Sequence, residues 1–204
     1  MNYWNDAITE KSWKRLQDIR GKFKFTLIGG WAVYLWTKNM KSKDIDVVVG
    51  FEDLNYLKLH YDLRKNDNLK KYEIKTEDVD IDVYVPHYSK LAIPAEEIGK
   101  HSSMIEGFQA ANAEILLILK QGAEIDRRQS EKGEKDRIDI MNIVLNADVD
   151  FKKYSEMIKR YNLDALKNNL IQTIKGFKDY KYLSLSPREL KIKKELILKK
   201  LERL

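Results

Sequence analysis

Two stretches of this chain, Asp44–Val49 (DIDVVV) and Val79–Val85 (VDIDVYV), each place an isoleucine between two aspartates and then run on as apolar, mostly β-branched sequence. A β-strand turns successive side chains to opposite faces. Asp44 and Asp46 therefore share one face while Ile45 points to the other, and Asp80, Ile81 and Asp82 repeat the arrangement. A chain with two such segments is committed to a sheet whose one face is core and whose other face carries carboxylates.

The flanking sequence supplies the remaining elements. Residues 5–20 carry Ile8, Trp13, Leu16 and Ile19 at helical spacing. Phe23–Ile28 (FKFTLI) reads as a short strand ending at Gly29-Gly30, and Trp31–Thr37 reads as a buried helix. Residues 53–65 predict a helix with Leu54, Leu57, Tyr61 and Leu63 as core contacts. Lys70–Lys75 predicts another strand, joined to Val79–Val85 by a polar turn around Thr76, Glu77 and Asp78. Beyond residue 94 helical periodicity dominates, over Ala111–Gln121, Asp136–Leu145, Lys152–Tyr161, Asp164–Lys175 and Pro187–Leu204. Strands and helices first, then helices alone, predict an α/β (α+β) protein with a small mixed sheet followed by a helical C-terminal region. The expected division is residues 1–95 and 96–204, with the join near 87–105.

Composition narrows the chemistry. At 204 residues and 43% hydrophobic content the chain can bury a core, and no apolar run approaches a membrane span, so a membrane partner is not expected. The first residues, MNYWNDAITEKSW, lack the basic-then-apolar pattern of a signal peptide, which makes the cytoplasm the expected compartment. There is no cysteine, which excludes disulfides, thiolate metal sites and a cysteine nucleophile. His60, His87 and His101 stand far apart in unlike contexts, so no histidine-built zinc site is expected. A formal charge of +6 suits polyanionic partners such as nucleotides or RNA.

The carboxylates and glycines are the candidate site. Gly29-Gly30 at a strand-to-helix turn lets a ligand approach the backbone, and the helix start offers N–H groups and a positive dipole end to phosphate. Two aspartates on one strand face repel unless a cation lies between them, and hard oxygen ligands favour Mg²⁺ or Mn²⁺. A third carboxylate from Asp80 or Asp82 completes a set able to hold metal; by alternation either could serve. Each feature alone is equally compatible with a tight turn or a solvated strand face.

Taken together, Gly29-Gly30, Asp44-Ile45-Asp46 and Ile81-Asp82-Val83 resemble the signature of the polymerase-β nucleotidyltransferase superfamily: a Gly-Gly turn, Asp-hydrophobic-Asp, and a later hydrophobic-Asp-hydrophobic strand. The stretch from Ala113 to Leu145 (AEILLILKQGAEIDRRQSEKGEKDRIDIMNIVL) is similar to the helical motif of AbiEii-like and related minimal nucleotidyltransferases of prokaryotic toxin–antitoxin systems. Its matching positions are Lys120, Arg127 or Arg128, and the run Lys135-Asp136-Arg137-Ile138-Asp139. The motifs span roughly residues 24–145, and the Lys-rich segment 187–204 matches none of them, although Leu190, Ile197, Leu201 and Leu204 are spaced to pack.

The resemblance implies transfer of a nucleoside monophosphate from an NTP to an acceptor hydroxyl, with RNA (tRNA included) or protein as the favoured acceptor. It implies Asp44, Asp46 and Asp82 as ligands of Mg²⁺ or Mn²⁺, with Asp80 as second choice for the third carboxylate. Gly29 and Gly30 would hold the triphosphate, Lys120 would clamp its phosphates, and Lys135 and Asp136 would complete the nucleotide-binding set. Asp136 and Asp139, at i and i+3, could orient Lys120 or the incoming hydroxyl. Trp31, directly after the glycines, could narrow the pocket or stack on a base. A non-catalytic RNA- or protein-binding module on the same fold is the alternative.

Overall fold

The computed structural model describes residues 6–76 and 79–203. The chain divides into two compact units, one of Met1–Leu35 with Met40–Asn112 and one of Trp36–Asn39 with Ala113–Leu204. Among the described residues no helix is long and apolar enough to cross a membrane.

The first unit is an α/β layer. In chain order it comprises α1 (Asp6–Ile19), β1 (Thr26–Ile28), α2 (Gly29–Thr37, whose last two residues belong to the second unit), β2 (Ile45–Val48), α3 (Phe51–His60), β3 (Leu63–Asn66), β4 (Lys71–Ile74), β5 (Ile81–Tyr84), α4 (Ala95–Ile98), β6 (Ser102–Ile105) and β7 (Phe108–Ala111). The strands form one mixed sheet in the order β3-β4-β5-β2-β1-β7-β6. β2 pairs parallel with β5 and antiparallel with β1, and β1 pairs parallel with β7. The alternating pattern read from the sequence is the pattern of burial: Ile45, Val47, Ile81 and Val83 are fully buried, while Asp46 and Asp82 between them are only half-buried. Each of those apolar side chains contributes about 1.5–3 kcal/mol by leaving water.

Trp31 belongs to this core. It is fully buried, its indole Nε1 donates to Ser12 Oγ at 2.8 Å, and its ring lies 5.0 Å from Trp13 and 5.5 Å, edge-on, from Tyr34. The large residue after the glycines therefore ties α2 to α1, and it is not available to stack on a base.

Three elements depart from the sequence reading. The helix expected over 53–65 ends at His60, and β3 takes up its last residues. The hairpin of β6 and β7 lies in a stretch read as leading into helices, and it completes the sheet. For that reason the first unit runs to Asn112 instead of closing at residue 95. Of the polar turn before β5, Glu77 and Asp78 lie outside the described residues; Thr76 Oγ1 donates to the Val79 carbonyl at 2.7 Å and accepts from Val79 N at 3.1 Å.

The second unit is helical: α5 (Ala113–Asp126), α6 (Glu131–Asn146), α7 (Phe151–Arg160), α8 (Ala165–Gly176) and α9 (Pro187–Glu202). Its core is built from Ile115, Leu116, Leu117, Ile118, Ile140, Met141, Ile143, Leu170 and Ile174. Capping sets the helix starts. Ser130 Oγ accepts from Gly133 N ahead of α6, and Asp150 accepts from Lys152 N and Lys153 N ahead of α7. Ser186 and Glu189 form a reciprocal capping box with Pro187 in the first turn of α9. In α9 the expected apolar positions Leu190, Ile197 and Leu201 are buried, and Leu204 lies outside the described residues.

Candidate active site

The parallel register of β2 and β5 sets Asp46 directly beside Asp82, and the antiparallel register of β4 and β5 sets Glu73 on Asp82's other side. Residues opposite one another in a sheet share a face, with Cβ atoms about 4.5–5.5 Å apart in antiparallel pairs. The row Asp46, Asp82, Glu73 therefore concentrates negative charge on the face away from the buried Ile45 and Ile81. Asp44 and Asp80 each precede their strand by one residue and are half-buried; the Ile45 amide donates to the Asp80 carbonyl at 3.1 Å. Of the two carboxylates that alternation left open, Asp82 is the one paired with Asp46.

Asp46 is also packed on the glycine turn. Gly29 opens α2 with φ +66°, and a Cβ built on it would lie 2.0 Å from Asp46 Oδ2 and 2.7 Å from Asp46 Cβ. The absent side chain is the space that the carboxylate fills. Asp46 is thus held over the first turn of α2, where the helix presents its positive end.

Burial, and then the negative charge of Asp46, push the Asp82 carboxyl up to about 6 from its ordinary value near 3.8. Lys71 opposes that shift: its Nζ lies 2.6 Å from Asp82 Oδ2 and 3.2 Å from Glu73 Oε1, with the lysine side chain only 12% exposed. Burial pulls the Lys71 ammonium down, but hydrogen bonds and charge from Asp82 and Glu73 outweigh it and leave the group raised. Glu73 is lowered on balance, since its hydrogen bonds from Lys71 and from Asn66 Nδ2 (3.1 Å) overcome its burial. Lys71 and Glu73 were not singled out in the sequence, where Lys70–Lys75 was only a short strand. Their signal has the same i, i+2 spacing on one strand face as the aspartates, here as an opposite-charge pair.

A raised carboxyl gives a definite pH dependence. Asp82 holds its proton more tightly folded than unfolded, so its unfavourable contribution is absent below its ordinary value and complete above about pH 6. A shift of that size, already net of the opposing Lys71 ion pair, corresponds to at most about 3 kcal/mol, less the part that solvent screens at a group still partly exposed. In chelator-treated protein Asp82→Asn is expected to raise the unfolding free energy at pH 7.5 by about 1–2 kcal/mol, with the gain fading between pH 6 and pH 4. Denaturant titrations across that range check it, and a variant less stable than wild type at pH 7.5 would contradict the burial argument.

Among the described residues no group of three or more histidine, aspartate or glutamate side chains converges as a metal nest. What the fold brings together is a pair, Asp46 and Asp82. A pair fits Mg²⁺, which typically takes one or two protein carboxylates and completes its shell with water and substrate phosphate oxygens.

The other predicted positions lie in the second unit. Lys120 falls within α5 and is buried, with its Nζ 3.1 Å from Asp136 Oδ1 and 2.6 Å from Asp139 Oδ2, both on α6. Asp136 also accepts from Arg127 Nε at 2.7 Å, and Lys135 Nζ lies 3.6 Å from Asp139 Oδ2. Asp136 and Asp139 are essentially inaccessible to solvent. Burial raises the Asp139 carboxyl, but Lys120 and Lys135 overcome this and leave it lowered. A second buried group stands alongside: Glu124, bonded by Arg128 (3.1 Å) and Arg137 (3.0 Å). The charged run of the sequence is therefore an ion-paired seam joining α5 to α6.

No protein-family model matches the chain, and no curated protein does. Among solved structures it is similar to that of JHP933 from Helicobacter pylori, at 17% identity and a TM-score of 0.46, over 98% of this chain and 95% of that one. It is also similar to the Megavirus polyadenylate synthase (20%, TM-score 0.45), covering 71% of this chain but only 33% of that one. A third similarity is to an antigenic nucleotidyltransferase-like protein from Paracoccidioides brasiliensis (15%, TM-score 0.42), over 81% of this chain and 93% of that one. At these identities and scores the chain trace says nothing about chemistry, which has to come from the side chains.

Proposed function

We propose that the protein is a metal-dependent nucleotidyltransferase. The observation that carries this reading is the pairing of Asp46 with Asp82 at one register of the parallel β2–β5 pair, with Asp46 seated on the positive-φ Gly29 at the start of α2. Two carboxylates of the kind that bind Mg²⁺ beside a backbone turn suited to phosphate support the reading.

In this reading Asp46 and Asp82 would hold Mg²⁺ or Mn²⁺, and a place for Asp44 as a third ligand follows the sequence resemblance alone. The bound metal supplies neutralising charge to the triphosphate and acidity to the attacking hydroxyl. The first turn of α2 positions the phosphates through backbone N–H groups. The acceptor oxygen attacks the α-phosphorus of the NTP, the bond from that phosphorus to the bridging oxygen breaks, and pyrophosphate leaves with the electron pair. The hydroxyl proton passes to the Asp82 carboxylate. Positioning and charge provide most of the rate in such transfers. RNA, tRNA included, or protein is the acceptor class we favour. A place in a toxin–antitoxin pair, with Lys120, Lys135 and Asp136 serving the nucleotide, follows the sequence resemblance alone.

The test is transfer of label from each α-labelled NTP to total RNA and lysate protein with Mg²⁺ or Mn²⁺. Wild type is expected to label a discrete band, and Asp46→Asn to lose that activity while keeping its fold. Undiminished transfer by the variant would sink the assignment. Absence of transfer with either protein, together with RNA or protein capture, would favour the binding-module reading.

A further inference from the structure

The carboxylate row already has a cation. Asp82 stands between Asp46 and Glu73, and the Lys71 ammonium reaches it at 2.6 Å while remaining 3.2 Å from Glu73. These contacts are not a surface pair. The side chains of Lys71, Glu73 and Asp82 are 12%, 15% and 18% exposed, so solvent screens them poorly. An ammonium so close to Asp82 Oδ2 competes directly with any metal for that oxygen.

Lysine is suited to giving way. Its charge sits on a flexible four-carbon stem, and here a second acceptor, Glu73, lies on its own strand. Building on the metal-site reading above, we propose that Lys71 is a resident counter-ion that must leave Asp82 for Glu73 when a divalent cation enters. The contact and the metal are then mutually exclusive at Asp82. Without metal, Lys71 relieves the repulsion between Asp46 and Asp82. With it in place the site takes a bare cation weakly, and a cation arriving with a triphosphate more readily, because the phosphates supply the negative charge that the lysine had masked. Lys71 is a positioning residue in this scheme, acting through Asp82.

The experiment is Mn²⁺ binding to the full chain by electron paramagnetic resonance, with and without a non-hydrolysable NTP analogue. Lys71→Met is expected to tighten nucleotide-free Mn²⁺ binding by about tenfold or more, since one unit of nearby charge is removed from a poorly screened site. Lys75→Met removes a charge just past the other end of β4, 3.9 Å from Glu73 but 55% exposed, and is expected to change affinity less than about twofold. The gain should vanish in Lys71→Met/Asp82→Asn. Wild type should bind Mn²⁺ much more tightly with the analogue than without it, and Lys71→Met should narrow that gap. Equal tightening by both lysine variants, or none by Lys71→Met while wild type binds, overturns the counter-ion proposal and leaves the metal site standing. No Mn²⁺ binding by any folded variant, with or without analogue, overturns both.

Discussion

Gly29→Ala is expected to lower the unfolding free energy by about 3–5 kcal/mol and to remove nucleotide transfer. Two separate penalties combine. An alanine at φ +66° pays about 1–2 kcal/mol for a left-handed backbone. The new methyl would also lie 2.0 Å from Asp46 Oδ2, 2.6 Å from Cγ and 2.7 Å from Cβ. Rotating the carboxylate away answers the first contact but not the last, so the backbone of β2 or of the turn must move by several tenths of an ångström, disturbing the placement of Asp46 beside Asp82. Gly21 separates the two terms. It has φ +83° with nothing within 4 Å of a built Cβ, so Gly21→Ala should show the backbone penalty alone, about 1–2 kcal/mol, with transfer unaffected. Denaturant unfolding and transfer assays on the two variants check this, and equal losses would mean that the packing of Asp46 on the turn is not tight.

Lys120→Met should be nearly as damaging to stability, by about 3–5 kcal/mol, because it strands buried carboxylates instead of merely deleting a charge. Asp136 would keep Arg127, and Asp139 would keep only the 3.6 Å contact with Lys135. The pH dependence follows from the sign of Asp139's shift. A carboxyl lowered in the fold stabilises above its ordinary value and loses that contribution as pH falls through its folded value. Without Lys120 the burial that raises Asp139 is largely unopposed, so the variant's deficit should be full at pH 7, shrink as the stranded carboxylate takes up a proton, and keep shrinking below about pH 4 as the wild-type contribution is lost. Adding Asp139→Asn to Lys120→Met should restore part of the loss at pH 7. A deficit independent of pH and unaffected by Asp139→Asn would indicate that Lys120 contributes only the packing of its stem.

The same two regions show what the sequence made legible. Asp44–Val49 and Val79–Val85 declared their strands because period-two alternation survives in four-residue elements when the core side is β-branched. β3 was hidden because Leu54, Leu57 and Tyr61 keep helical spacing up to the helix end at His60, and Leu63 and Arg64 carry no strand signal of their own. β6 and β7 were hidden by composition, Ser-Ser-Met-Ile and Phe-Gln-Ala-Ala; their signal was the Glu106-Gly107 turn, both residues with positive φ, which matches a two-residue hairpin. Local pattern placed Asp46 and Asp82 on sheet faces, but register is a non-local property, and only the fold made them neighbours. Lys71 escaped for the same reason, since what distinguishes it is the strand beside it. Lys120 was visible as a lysine in an apolar run, yet nothing local said that α6 would bring two buried carboxylates to it.

The strand order also has a consequence for how the molecule comes to exist. The β3–β4 and β6–β7 hairpins, joining near neighbours in sequence, occupy the two edges of the sheet. The pairs at its centre, β2 with β5 and β1 with β7, join distant segments and meet only after long loops have closed, which is the slow part of assembling a sheet. Asp46 and Asp82 belong to the central pair. A nascent or partly folded chain can own its edge hairpins while the two aspartates are still far apart, so the acidic site is among the last features to appear during folding and among the first to go when the centre of the sheet opens.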